Sequence, residues 1–122
     1  MAVTELYRVR AGTQLGNSKS QLIYYTGSLD AATDESIHQS SAGHYTAIVS
    51  MQFVEGTATD LSFISGSNTA FTMELPANSG ISKDLSKEAM FITDEGEALK
   101  LNASTGVSSI LIGVMEFSTF EL

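Results

Sequence analysis

Residues Val107 to Phe120 read VSSILIGVMEFSTF. In an extended chain Ile110, Ile112 and Val114 fall on one side and Leu111, Met115 and Phe117 on the other, because successive side chains of a strand point to opposite faces. The stretch is long, rich in β-formers and apolar on both faces, so it predicts a strand near the centre of a sheet. The same period of two recurs upstream. EALKLNAS (97–104) alternates Leu99 and Leu101 with Lys100 and Asn102. TAFTMELP (69–76) sets Phe71, Met73 and Leu75 against Thr72 and Glu74. It stops at Pro76, which has no N–H to give a ladder.

YTAIVSMQFVEG (45–56) places Tyr45, Ala47, Val49, Met51 and Phe53 on one face, with Ile48 and Val54 opposite. TDLSFISG (59–66) ends at Gly66 with Leu61 and Phe63 opposed to Ile64, and SQLIYYTGS (20–28) sets Leu22 and Tyr24 against Ile23 and Tyr25. Helical periodicity is nearly absent, although SKDLSKEAMF (82–91) has room for one turn capped by Ser82 or Ser86. Six or seven strands at short spacing, joined by turns such as SGSNT and ASTGVS, predict an all-β protein. The architecture expected is a two-sheet antiparallel sandwich, jelly-roll-like because no Cys-Trp-Cys pattern marks an immunoglobulin type. Residues 1–20 are expected to form an N-terminal arm or first strand, and 21–122 the sandwich domain. GSLDAATDESIHQSSAGH (27–44) reads as a long loop or irregular edge.

A chain of 122 residues is one domain by size. It has no cysteine, so disulfides, thiolate nucleophiles and cysteine-ligated metals are excluded. No apolar run reaches the ~20 residues of a membrane helix, and MAVTELYRVR lacks the apolar core of a secretory signal. Synthesis in the cytoplasm without membrane insertion is therefore expected. Net charge is −8, and residues 21–82 contain six acids and no lysine or arginine. Such a body repels phosphate backbones, and no nucleic-acid partner is expected. The cations Arg8, Arg10 and Lys19 make the first twenty residues the one basic segment.

The candidates for chemistry are few. His38 and His44 lie near Asp34 and Glu35, but in a Ser/Gly-rich stretch with no spacing to hold ligands firmly, so they read as surface loop histidines. Asp94, Glu95 and Glu97 cluster around Gly96 without the spaced acid ladder of a calcium loop, and read as a solvated turn. Glu74 and Glu116 are the only strand acids that could form a glycosidase pair, and read instead as outward-facing edge residues. No phosphate loop occurs. The expectation is a non-enzymatic chain with no cofactor and no metal.

The order SGSNT, ELPANSGI, GEALKLNAS, VSSILIGVMEF resembles small β-sandwich structural proteins of tailed bacteriophages, of the capsid cement or decoration type. The matching pieces are Ser65–Ser67, Leu75–Gly80, Gly96–Asn102 and Val107–Glu116, within roughly residues 44–117. The charged SKDLSKEA and everything through Gly43 depart from the pattern. The resemblance implies a virion component on the outer surface of the phage head, a homotrimer that clamps the major capsid protein without chemistry. It reads the connection after Pro76 as a crossover between sheets. For that task Tyr7, Arg8 and Arg10, in the one basic segment, are the expected partner-binding residues, since Tyr and Arg are favoured interface anchors; the alternative is an ordinary first strand with exposed arginines. The alternative expectation is a tail-tip or fibre module that recognises host glycans through the 27–44 stretch.

Overall fold

The structure, a computed structural model, describes residues 3–9, 21–55, 57–77, 79–84 and 91–118, with side chains over 22–53, 57–77 and 91–117. The described residues form ten strands and no helix: β1 (Val3–Val9), β2 (Gln21–Leu29), β3 (Glu35–Gln39), β4 (His44–Glu55), β5 (Thr59–Ser65), β6 (Asn68–Leu75), β7 (Ser79–Asp84), β8 (Phe91–Ile92), β9 (Ala98–Ala103) and β10 (Val107–Ser118). One sheet runs β1-β2-β10-β4-β7 with β8 also on β4, and the other runs β3-β9-β5-β6. All strand pairings are antiparallel.

The topology is that of a long two-stranded ribbon wound into a sandwich. β2 pairs with β10, β3 with β9, β4 with β7 and β8, and β5 with β6, so the chain folds back on itself at the β5–β6 turn. Successive pairs alternate between the sheets, which makes the fold a jelly roll with β1 added beside β2. The ribbon's tip is Gly66, whose φ of 63° lies in the left-handed region that favours glycine.

The core lies between the sheets. Ile23, Ile48, Met51, Phe53, Leu61, Phe63, Leu99, Leu101, Ile112 and Val114 are almost wholly removed from water. Alternation in β9 and β10 sets Leu99 and Leu101, and Ile110, Ile112 and Val114, inward as expected, and Pro76 follows the end of β6.

Four expectations need correction. The described residues form ten strands rather than six or seven: the 27–44 stretch is not a loop but holds the end of β2 and the whole of β3, and the connection after Pro76 holds β7 and β8. The face assignment in β4 also fails. Gly113 pairs with Ser50 and Val114 with Ile48, so Val49 is an extra residue in a β-bulge. Beyond it the strand reverses faces, with Met51, Phe53 and Ile48 inward and Tyr45 and Ala47 outward. The connection after Pro76 does cross to the other sheet, but it forms the edge strands β7 and β8 there and then returns to the sheet of β6 as β9. Of SKDLSKEAMF, residues 82–84 belong to β7 and 91 to β8, so no turn of helix occupies them, and the rest lies outside the described residues. The first twenty residues contain a strand, β1, paired with β2 through Val3–Gly27 to Val9–Leu22.

Candidate functional site

Ile110, Ile112, Val114 and Glu116 occupy successive inward positions of β10, so the row that fills the core ends in a carboxylate. Its partner comes from the opposite sheet. His38 Nε2 lies 2.5 Å from Glu116 Oε1, with the two side chains 9% and 14% exposed. The other ring nitrogen, His38 Nδ1, is 2.5 Å from the hydroxyl of Tyr25, an inward residue of β2. The backbone N–H of Ser41 donates to Glu116 Oε2 at 3.2 Å. The trio joins β2 and β10 of one sheet to edge strand β3 of the other.

The chemistry of the donors fixes the proton positions. An ionised carboxylate only accepts, so His38 Nε2 carries the proton that faces Glu116. In the neutral ring Nδ1 then accepts from the Tyr25 O–H, and in the charged ring Nδ1–H donates to the Tyr25 oxygen. Burial alone would raise the Glu116 pKa, but the hydrogen bonds from His38 and Ser41, with the attraction of the His38 ring, outweigh it and hold the carboxyl below its usual value.

Next to the trio sits a buried hydroxyl cluster. Ser40 Oγ lies 2.6 Å from Thr46 Oγ1 and 3.4 Å from Thr93 Oγ1. The Thr46 N–H donates to Thr93 Oγ1 at 3.0 Å. All three residues are buried, and among the described residues no buried side-chain nitrogen or oxygen lacks a partner. These groups close the sandwich at the end where apolar filling stops.

The other candidates scatter. His44, at the start of β4, bonds the Ala42 carbonyl through Nδ1 at 3.1 Å, and Asp34 accepts from Asn102 Nδ2 at 2.6 Å. Neither therefore joins His38, which corrects the reading of both histidines as loop residues: His38 is a strand residue held between two sheets. Glu74 stays exposed on edge strand β6, opposite Asp60 in the register. Glu116 does not pair with it, and its outward-facing reading is overturned by its place in the inner row of β10. Asp94 lies in a turn where its N–H donates to Ser65 Oγ at 2.9 Å and its carbonyl accepts from the Glu97 N–H at 3.1 Å. Among the described residues no cluster of three or more His, Asp or Glu could hold a metal ion. Tyr7 and Arg8 lie in β1, opposite Tyr24 and Ile23, while their side chains and the whole of Arg10 lie outside the described residues.

Two shallow grooves lie among the described residues. One of about 430 Å³ runs beside Thr59, Asp60, Glu74, Pro76 and Ser104, and another of about 440 Å³ beside Ser28, Asp30, Thr105 and Ser108. Neither reaches Tyr25, His38 or Glu116. What the sequence reading missed was the trio itself, and its one signal was parity, since Glu116 continues the spacing of Ile110, Ile112 and Val114.

No protein-family model matches the chain, and no curated protein is similar to it. Solved structures are similar to it to different degrees. A subunit of Bacillus endospore appendages, described as a family of disulfide-linked pili, is similar with a TM-score of 0.50 and 15% identity, over 82% of this chain and 88% of that one. The cupin domain of Schizosaccharomyces pombe Cnp3 gives 0.39 at 8% identity, over 98% of this chain and 65% of that one. A cupin protein from Bacteroides fragilis gives 0.33 at 13% identity, over 100% and 85%. The chain is a small antiparallel two-sheet β-sandwich of the jelly-roll kind, and at these identities the likeness is one of fold.

Proposed function

We propose that the chain is a non-enzymatic structural subunit of a bacteriophage virion, a cement protein that binds the major capsid protein on the outer surface of the assembled head as a trimer. The observation that carries this reading is the use to which the organised ionisable groups are put. Tyr25, His38 and Glu116 are bonded to one another across the sandwich, largely out of water, and serve to hold two sheets together. A rigid, filled body of this kind works by contact.

The resemblance of LPANSGI and GEALKLN to phage sandwich proteins supplies the virion setting; the first piece runs from the end of β6 into β7, and the second from the turn at Gly96 into β9. The fold is also that of a pilus subunit, so it suits a repeating assembly. That relative forms disulfide-linked pili, whereas these 122 residues hold no cysteine, so the contacts proposed here are non-covalent. Three modest contacts engaged together bind far more tightly than one, which is the mechanism a trimeric clamp uses.

Cryo-electron microscopy or gold labelling of intact particles tests the reading. Density or label over the heads is expected. Label confined to tails would move the chain to host recognition, and its absence from purified particles would overturn a virion role altogether.

A further inference from the structure

An antiparallel sheet over a single core ordinarily has one solvated face. The outer face of the four-stranded sheet conforms, carrying Asp60, Ser62, Thr72, Glu74, Lys100 and Asn102, with the Ser62 and Thr72 hydroxyls 2.9 Å apart. The outer face of the larger sheet does not. In the register of β2, β10 and β4, Leu22 stands beside Met115 and Ala47, Tyr24 beside Gly113 and Ser50, and Phe117 beside Tyr45. The Phe117 and Tyr45 rings stack with centroids 5.8 Å apart. Leu111 lies between Thr26 and Gln52, and Ile92 of β8, paired with Ala47, is 46% exposed. Gly113 keeps this surface flat: a Cβ there would come within 2.9 Å of the Tyr24 ring and 3.2 Å of Ser50.

Across β2, β10, β4 and β8, the described outward positions include no acid, lysine, arginine or histidine. Three strands about 4.8 Å apart, over some eight residues at about 3.4 Å each, give roughly 14 by 27 Å, to which the two residues of β8 add one corner.

We infer that this apolar face is where copies of the chain meet one another. Charge chooses the occupant. The chain carries −8. Copies that met through the other sheet would set Asp60 and Glu74 against like charges, and the turn with Asp94, Glu95 and Glu97 would do the same. A partner recognised by its charge would need countercharges, and the described outward positions of β2, β10, β4 and β8 offer none. A flat, uncharged, aromatic and aliphatic sheet is complemented by a second such sheet, as the two inner faces of the sandwich complement each other. Turning these faces inward leaves Asp60, Glu74, Asp94, Glu95 and Glu97 of every copy in water. The number of copies, three, rests on the cement reading above, but the surface does not.

Sedimentation equilibrium of the full chain, across micromolar to millimolar concentrations, tests it. Species at a multiple of 13.0 kDa are expected, three for a closed trimer. Leu111→Lys, in the middle of the face, should raise the dissociation constant at least a hundredfold, while Thr72→Lys on the other sheet should leave it unchanged. Should Leu111→Lys fail to fold, Leu111→Cys gives a second measure, since there is no other cysteine to react. Its maleimide labelling should slow at least tenfold as concentration rises, and that of Thr72→Cys should not. A chain that is monomeric at every concentration, association that survives Leu111→Lys, or equal labelling of the two cysteines would overturn the assignment. Loss of head labelling with association intact would instead sink the virion reading alone.

Discussion

Glu116 is a charge placed where the core ends, and it is tolerated because its oxygens meet N–H groups from His38 and Ser41. A hydrogen bond to a charged group contributes about 1.5–3 kcal/mol, and an abandoned buried partner costs a similar amount. Glu116→Gln should therefore destabilise the protein by about 1.5–3 kcal/mol at neutral pH, read from the urea midpoint at an unchanged m-value. The pH dependence has a definite sign. Because the folded carboxyl sits below its ordinary value, its contribution is complete above the ordinary carboxylate range. That contribution is lost as pH falls from there through the lowered pKa. The loss of stability on acidification should be shallower in the Gln variant, and an identical slope would show that the His38 and Ser41 bonds do not favour the ionised form. Tyr25→Phe isolates the other end of the trio. It leaves His38 Nδ1 without the Tyr25 hydroxyl in a nearly buried place, at a cost of about 0.5–1.5 kcal/mol. Nitrogen NMR of the neutral ring should still find the proton on Nε2, where the carboxylate holds it.

Between residue and molecule, the strands were legible where alternation is uninterrupted. Leu99 and Leu101, or Ile110, Ile112 and Val114, can be assigned to the core from spacing because β9 and β10 carry no extra residue over these positions; the bulges opposite them lie in β3 and β4. Bulges hide from that reading. Val49 is extra only relative to β10, so nothing in YTAIVSMQFVEG announces that Tyr45 and Met51 face opposite ways. β3 was hidden for a related reason: its five residues hold Ile37 as their one aliphatic core side chain, and a register shift between Ser36 and His38 breaks even that short pattern. The trio inherits both difficulties, since His38 is delivered by β3 and Glu116 looked like an ordinary exposed acid. Turn chemistry was easier to read. SGSN predicts a tight return, and Gly66 makes it with a φ of 63°. A Cβ there would also meet Glu97 Oε2, but a flexible carboxylate can swing away, so the backbone decides the cost. Gly66→Ala should lose about 1–2 kcal/mol, the penalty of a left-handed L-residue, in thermal or urea unfolding. Because Gly66 is the tip of the wound ribbon, slower folding should accompany that loss if the β5–β6 hairpin forms early, and unchanged folding with faster unfolding if it forms late.

At the scale of the whole molecule, the acidic body and the basic first segment have opposite tasks under the cement reading. The body carries the surplus of acids, while Arg8 and Arg10 sit beside Tyr7 at the start of the chain. β1 fixes part of that segment, since Tyr7 and Arg8 lie in a strand paired with β2 rather than in a free arm. Exposed charge pairs are weak and screened by salt, so a single cation cannot hold a subunit on a capsid. Three copies change that arithmetic, because the losses at linked sites multiply. If replacing Tyr7, Arg8 and Arg10 by alanine weakens each site about tenfold, a trimer engaged at three points should lose up to about a thousandfold in affinity. Co-sedimentation with heads stripped of the protein measures this directly. The triple variant should fall off the heads, and wild-type binding should weaken between low and high salt. The unfolding midpoint of the triple variant, measured alongside, separates a lost contact from a lost fold. Full coating of heads by the triple variant would remove the basic segment from the contact. A salt-independent wild type that still required those residues would shift the weight from the arginines to the Tyr7 ring.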